Sequence, residues 1–278
     1  MSVQLKQIPL VNGLVVKRPS KNCKSPYVAD VIIDGNELMC HSPALGCCGL
    51  SDTNSCVLLS KIEKKNTKQV CEYKIELSHL SEGEHKIIIG INPKLAEEIA
   101  ESALINNCVA NLTNVISYKR EITIMNSRFD FAGIDRNDKP FVMEIKNVPL
   151  ADYVDVHKKD RKKYDCKDIP FNKKISYFPD GYRKKTTDVV SPRALKHIEE
   201  LEKIAQSDVR AILCFVIQRN DVKHFQTSNV DLIYKEAVYK AWKNGVEINT
   251  IQVEWNQSGI CNFIRNDLPI SLKDGEFI

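Results

Sequence analysis

The sequence predicts an α/β chain, α+β overall, in two parts: a small all-β unit over residues 1–88 and a layered α/β unit over 89–278. Three observations predict it. Between Tyr27 and about Leu80, short β-branched runs alternate with turn residues. Residues 94–105 carry a helical period, and from there onward strand-like and helical segments alternate. A chain of 278 residues is long enough for one large domain or two small ones, and usual domain sizes favour two.

In the first unit the runs YVADVII, SCVLLSKI and CEYKIELS are separated by Asp34-Gly35 and Ser81-Glu82-Gly83, turn chemistry that divides strands. Strands of this spacing suit a compact barrel, of the OB type or another small type. Pro93 then stands where a helix opens, and KLAEEIAESALI puts Leu95, Ile99 and Ala103 on one face with Glu97, Glu98 and Glu101 mostly on the other. EITIMNSRFDFAGID and KPFVMEIKNVPL follow as two strand-like stretches. The polar turn Asp135-Arg136-Asn137-Asp138 folds them into an antiparallel hairpin. The segment from about 152 to 187 is basic and reads as irregular. Ser191 and Pro192 open the helix SPRALKHIEELEKIAQ, RAILCFVIQ is apolar enough for a buried central strand, and IYKEAVYKAWKNGVEINTIQVEW reads as helix, Gly245 stop and strand.

Composition narrows the class. Hydrophobic residues at 43% and charged residues at 27% are ordinary for a folded globular chain. No segment approaches the roughly 18 apolar residues of a membrane span, and MSVQLKQIPL lacks a basic region followed by an apolar core. The expectation is a cytoplasmic protein without a membrane partner, a nuclear one being the alternative. The ten cysteines are scattered through apparent strands, which suits reduced thiols better than a disulfide framework. Cys47-Cys48 lack the two-residue gap that turns both sulfurs toward one zinc. The net charge of +4 proves no partner. The basic residues nevertheless concentrate at Lys158, Lys159, Arg161, Lys162 and Lys163 and again at Lys173, Lys174, Arg183, Lys184 and Lys185.

The chemistry centres on the hairpin. Residues two apart in a strand share a face, so Glu144 and Lys146 project together while Ile145 turns away. Asp130 lies on the neighbouring strand. Two carboxylates with open positions between them hold a hard cation such as Mg2+ or Mn2+, which neutralises a phosphate and activates water, and a lysine beside them orients water or stabilises developing charge. Alternating charge on a strand is by itself common. Here Phe141, Val142, Met143 and Val148 flank the pair, so the strand is internal and its charges need a partner or a metal. Asp on one strand and Glu-x-Lys on the next is the arrangement of the PD-(D/E)xK nucleases. Glu101 is the choice for a further metal-binding acid, with Glu98 as competitor and a solvated acidic helix face as the alternative to either. Trp242 and Tyr239, at helical spacing beside Val238 and Ala241, read as core.

A series of ordered blocks resembles the bacterial sugar fermentation stimulation protein A family, and it spans most of the chain from Tyr27 onward. YVADVIIDGNELMCHSPALGCCGL is similar to its N-terminal segment, with His41-Ser42-Pro43-Ala44-Leu45-Gly46 in place of His-Cys-Pro-Asn-Thr-Gly. NSRFDF resembles the Ser-Arg-x-Asp-Phe strand through Ser127, Arg128, Asp130 and Phe131. FVMEIKNVPL resembles the Glu-Val-Lys-Ser-Val-Thr-Leu strand, with Asn147 where serine is usual. Phe178-Pro179-Asp180 and SPRALKHIEEL, with Arg193, Lys196 and His197, resemble the next blocks, and CFVIQRNDVKHF with KNGVEI closes the series. The resemblance implies an OB-like first domain, a restriction-endonuclease-like α/β domain with a mixed sheet, and binding to nucleic acid, DNA before RNA. It also implies a place near the phosphate for His197, beside Arg193 and Lys196; Arg128 either joins them or pairs with Asp130. The chain departs from the family by its basic insertion at about 152–187, either a phosphate-binding arm or a solvated loop. Two functions follow: a metal-dependent nuclease with Asp130, Glu144 and Lys146 as catalytic residues, or a DNA-binding regulator of sugar metabolism that keeps the scaffold without cleaving. A homo-oligomer is compatible with either.

Overall fold

In the computed structural model, residues 3–43, 49–63, 70–181, 188–273 and 276–278 are described. The chain opens with β1 (Gln4–Gln7) and continues through β2 (Val11–Lys17), β3 (Val28–Ile33), β4 (Asn36–His41), β5 (Cys56–Lys61), β6 (Tyr73–Glu82) and β7 (His85–Gly90). Strands β2 to β7 form one antiparallel sheet in the order β4-β3-β2-β5-β6-β7. The sheet curls until β4 meets β6 in parallel at Cys40↔Tyr73 and His41↔Lys74, a barrel that nearly closes. Alternation drives the curl: Val15, Ala29, Val31, Leu59, Ile75 and Ile89 are buried inside, while Leu58, Leu77 and Ile88 on the opposite face pack into the core of the second part.

The second part holds α1 (Pro93–Ile105), β8 (Ser117–Ile124), β9 (Ser127–Ile134), β10 (Pro140–Val148), β11 (Ala151–Asp152), β12 (Lys174–Phe178), α2 (Pro192–Ile204), β13 (Arg210–Ile217), β14 (Val222–Thr227), α3 (Leu232–Lys243), β15 (Glu247–Trp255), β16 (Ile260–Arg265), β17 (Ile270–Lys273) and β18 (Glu276–Phe277). A seven-stranded mixed sheet runs β1-β16-β15-β13-β10-β9-β8, with β10, β13 and β15 parallel at its centre. Helix α1 covers one face through Leu95, Ile99 and Ala103 against Met143, Ile145 and Cys214. Helices α2 and α3 cover the other, against Val142, Phe215 and Ile217. Both faces are therefore dry, which is why AILCFVI is apolar throughout. The helices begin as their sequences predict: Asn92 and Ser191 cap α1 and α2 with side-chain acceptors, and each is followed by proline in the first turn.

The structure differs from the sequence reading at three places. Strand β1, inside the segment assigned to the first unit, pairs with β16 of the second, a long-range match that no local pattern announces. EITIMNSRFDFAGID is two strands, because Met125 turns the chain with φ 55°. The basic segment is not wholly irregular: β12 lies within it, at the heart of a second sheet β11-β12-β14-β17-β18. Lys174 at the start of β12 is buried, its ammonium ion-paired to Glu82 at 2.7 Å and Asp221 at 3.0 Å and lying 3.8 Å from the centre of the Phe171 ring. Arg161, from the same segment, packs on Tyr177 and pairs with Asp152 at 2.8 Å. Arg183, Lys184 and Lys185 lie outside the described residues, as do Ala44-Leu45-Gly46 and Cys47-Cys48. None of the described helices is long and apolar enough to cross a membrane.

The barrel is seated directly on the α/β part. The Gly90 amide donates to the Gln218 carbonyl at 3.1 Å, and a Cβ at Gly90 would sit 1.9 Å from the Gln218 side chain, so only glycine admits the contact. Gln218 is itself held by Asn147 and by the Trp255 indole, at 2.7 and 2.9 Å.

Candidate metal-dependent active site

The functional cleft opens where the central hairpin splays. Strands β9 and β10 pair from Pro140↔Ile134 to Met143↔Phe131 and then part. The next residues along are Asp130 and Glu144. With no partner left on β9, the Ile145 amide donates to Asp130 Oδ2 at 2.7 Å, so the carboxylate replaces a lost ladder bond and is fixed beside Glu144. Glu144 is 3% exposed. Its Oε1 accepts hydrogen bonds from both Lys146 Nζ and His197 Nδ1, whereas its Oε2 is buried and has no protein partner among the described residues.

This arrangement separates two neighbouring acids electrostatically. Burial raises the Glu144 carboxyl, but Lys146 and His197 together outweigh it and leave the group below its ordinary value. Asp130 has less compensation: burial first and the Glu144 charge second push it up to about 7, against the weaker help of the Ile145 amide and Lys146. An ionised Asp130 therefore lacks a cation. The Tyr234 phenol, fully buried on α3, is held well up by burial and then by Glu144, and its hydroxyl also lacks a partner among the described residues. An orphaned oxygen on a buried acid, beside a carboxyl that resists ionisation, fits a hard cation with its waters.

The cleft above them has a volume of about 520 Å³. Asp130, Glu144 and Lys146, the three residues singled out by the hairpin pattern, all line it, together with Glu97, Asp180, Arg193 and, from the barrel, Tyr27 and Pro43. The further acid differs from the expectation. Glu101 accepts from Arg120 Nη1 at 2.6 Å and from the Tyr118 hydroxyl at 3.3 Å, and Glu98 pairs with Lys6 at 2.8 Å; neither lines the cleft. Glu97, one turn nearer the start of α1, does. Its charge is among those that raise Asp130. The signal for it was positional: Ile91 and Pro93 also wall the cleft, so only the first turns of α1 are near enough.

The α2 residues divide by helix face. Ala194, His197, Ile198 and Leu201 point inward, which carries His197 into contact with Phe129, ring centres 5.6 Å apart, and onto Glu144. His197, expected beside the phosphate, is bonded to the Glu144 carboxylate and at the same time borders the depression lined by Arg128, Arg193 and Lys196. Arg193 and Lys196 point outward, and with Arg128 they border this depression. Lys196 donates to the Asn126 carbonyl, and Arg128 pairs with Glu121 at 3.5 Å rather than with Asp130. Asp180, after Phe178 and Pro179, reaches the cleft and accepts from Arg161 Nη2 at 3.4 Å.

A parallel core flanked by antiparallel strands, with an aspartate and a Glu-x-Lys pair converging where its hairpin parts, defines a restriction-endonuclease-like domain, here carrying an N-terminal β-barrel. The profile described as "Sugar fermentation stimulation protein RE domain" matches residues 94–259, and the chain belongs to the sugar fermentation stimulation protein family. Similar proteins include homologs from Clostridium perfringens strain SM101, 28% identical over 85% of this chain and 86% of that one, and from Alteromonas mediterranea, 29% identical over 86% and 88%. Among solved structures, Pyrococcus furiosus SfsA in complex with Ca2+ superposes with a TM-score of 0.74 over 97% of this chain and 99% of that one, at 18% identity.

Proposed function

We propose that this chain is a nuclease that hydrolyses phosphodiester bonds with the help of Mg2+ or Mn2+, DNA being the expected substrate from the family resemblance. The observation that carries the reading is the partnerless Oε2 of buried Glu144 beside an Asp130 held up to about 7; a divalent cation relieves both deficits. Asp130 and Glu144 would hold it, with Glu97 lining the same cleft. Among the described residues no three His, Cys, Asp or Glu side chains form a group placed to hold a metal ion, so the reading rests on the two carboxylates of the hairpin. When bound, the cation neutralises phosphate charge and makes a water acidic. Lys146 keeps Glu144 ionised and turns an ammonium toward the cleft, where it orients the attacking water and stabilises negative charge on the phosphate. His197 fixes the carboxylate from the other side. Arg193, Lys196 and Arg128 face outward and meet the flanking phosphates, positioning the strand without reading its sequence. The calcium bound by the Pyrococcus relative is an oxygen-seeking cation of the same hard class, in line with this reading.

The test is incubation of purified protein with labelled single- and double-stranded DNA and RNA in magnesium, manganese or chelator, beside Asp130→Ala and Lys146→Ala. Cation-dependent cleavage that both variants lose is expected. Cleavage that persists in them is contamination, and binding without cleavage on every substrate returns the protein to the regulator reading.

A further inference from the structure

The cleft has one wall that the hydrolytic residues do not use. Tyr27, Pro43 and Ile91 come from the barrel and its exit strand, and they face the same space as Asp130, Glu144 and Lys146. Tyr27 is 43% exposed and belongs to none of the three hydrophobic cores, so it is not there for packing. Its backbone is nevertheless firmly held. The Tyr27 carbonyl accepts from the Ser42 amide at 2.8 Å and lies 3.2 Å from His41 Nδ1, the Tyr27 amide donates to Ser25 Oγ at 3.3 Å, and Arg18 Nε donates to the Pro26 carbonyl at 3.0 Å. An exposed aromatic ring on a pinned backbone offers a flat face at little entropic cost.

The size of the cleft says what that face can meet. A cleft of about 520 Å³ is in the size range of small-ligand pockets, room for a nucleotide at the ring. A base inside closed duplex has both faces covered by its stacked neighbours, so only a nucleotide that is single-stranded or has left the stack can offer a face to Tyr27. We propose that Tyr27 is a stacking platform for an unpaired nucleobase next to the scissile phosphate, so that this site takes single strands and frayed ends in preference to closed duplex. The proposal rests on the nuclease reading for the identity of its ligand, and it adds that the barrel supplies part of the substrate site. Phosphates of the same nucleotide run toward Arg193, while the acidic floor of Glu97, Asp130, Glu144 and Asp180 repels the strand unless a cation is present.

The experiment measures fluorescence anisotropy of a short labelled single strand and of its blunt duplex, both in calcium, with strand integrity checked on a gel. Wild type, Tyr27→Ala and Tyr27→Phe are compared; an exposed side chain makes all three expected to fold, which circular dichroism verifies. The account expects the wild type to bind the single strand at least about 10-fold more tightly than the duplex. Tyr27→Ala loses about 10-fold on the single strand, a loss typical of one stacked base, with duplex affinity unchanged, and Tyr27→Phe keeps the wild-type preference. Equal affinity for strand and duplex, or an alanine variant that binds the single strand like the wild type, overturns it. The two readings fail separately: absence of cleavage with the Tyr27 effect intact removes hydrolysis alone, and cleavage with no Tyr27 effect removes the platform alone.

Discussion

Two buried charge clusters in this molecule look alike in composition and differ in balance. Around Asp221, Arg219 donates to both carboxylate oxygens at 2.7 and 2.8 Å, Lys174 adds a third bond at 3.0 Å, and the remaining Arg219 nitrogen donates to the Pro149 carbonyl at 2.8 Å. Each of these acceptors is matched, and the cluster ties the second sheet to the barrel through Lys174 and Glu82. Around Glu144, two donors crowd one oxygen, the other has no partner among the described residues, and Asp130 beside it resists ionisation. A buried charge whose partners are complete serves architecture; one left short of positive charge marks a site that waits for a ligand.

Substitutions at the two acids should separate these roles. Asp130→Asn keeps the shape and the acceptor for the Ile145 amide but removes the charge, and the rate of cleavage should fall by at least about 10³-fold, about 4 kcal/mol. Thermal melting in chelator at pH 8 should be no lower than in the wild type. Asp221→Ala should do the reverse. It takes from Arg219 and Lys174 the buried carboxylate they share, at a cost of about 3–5 kcal/mol, a melting point lower by about 10 °C, while cleavage per folded molecule survives. A large loss of activity from Asp221→Ala with no loss of stability would erase the distinction.

The same pair makes opposite pH signatures. Asp221 is buried, but Arg219 and Lys174 outweigh that and hold it below its ordinary value, so its contribution is full above about pH 4 and is lost as pH falls through the lowered native value. Asp130, raised to about 7, binds a proton in the native state that the unfolded chain has already released. Stability in chelator should therefore decline as pH rises from about 4 to 7. Asp130→Asn should abolish that decline, as differential scanning calorimetry at stepped pH would register.

Smaller effects refine the site itself. His197→Ala removes a donor from Glu144 without touching substrate, and cleavage should drop about 10-fold with KM little changed. Lys196→Ala should weaken nucleic-acid binding a few-fold and reduce the salt dependence by about one phosphate contact. Binding titrations across salt concentrations check this; an unchanged slope would leave Lys196 as no more than a tether for the Asn126 turn.

What was legible in the sequence was what is local. Asp130, Glu144 and Lys146 sit on adjacent strands of one hairpin, where a period of two fixes which side chains share a face, and helices α1, α2 and α3 carry caps and periods of their own. The choice of Glu97 over Glu101 was hidden because both lie on the same polar side of α1, and only packing against the sheet decides which reaches the cleft. The bond from His197 to Glu144 was hidden for a related reason: next to Lys196 in sequence, His197 is about 100° away around the helix. Tyr27 and the β1–β16 pairing depend on contacts between segments far apart in the chain. Strand β12 was masked by its own lysine, since a basic run reads as solvated until its ion pairs and aromatic neighbours are known.

The central claim is that a divalent cation sits between Asp130 and the free oxygen of Glu144. A crystal soaked in manganese tests it most directly, through anomalous scattering. The account predicts a peak within bonding distance of both carboxylates, absent in Asp130→Asn crystals treated the same way. Manganese bound elsewhere on the chain, or at this position equally in the variant, would contradict it.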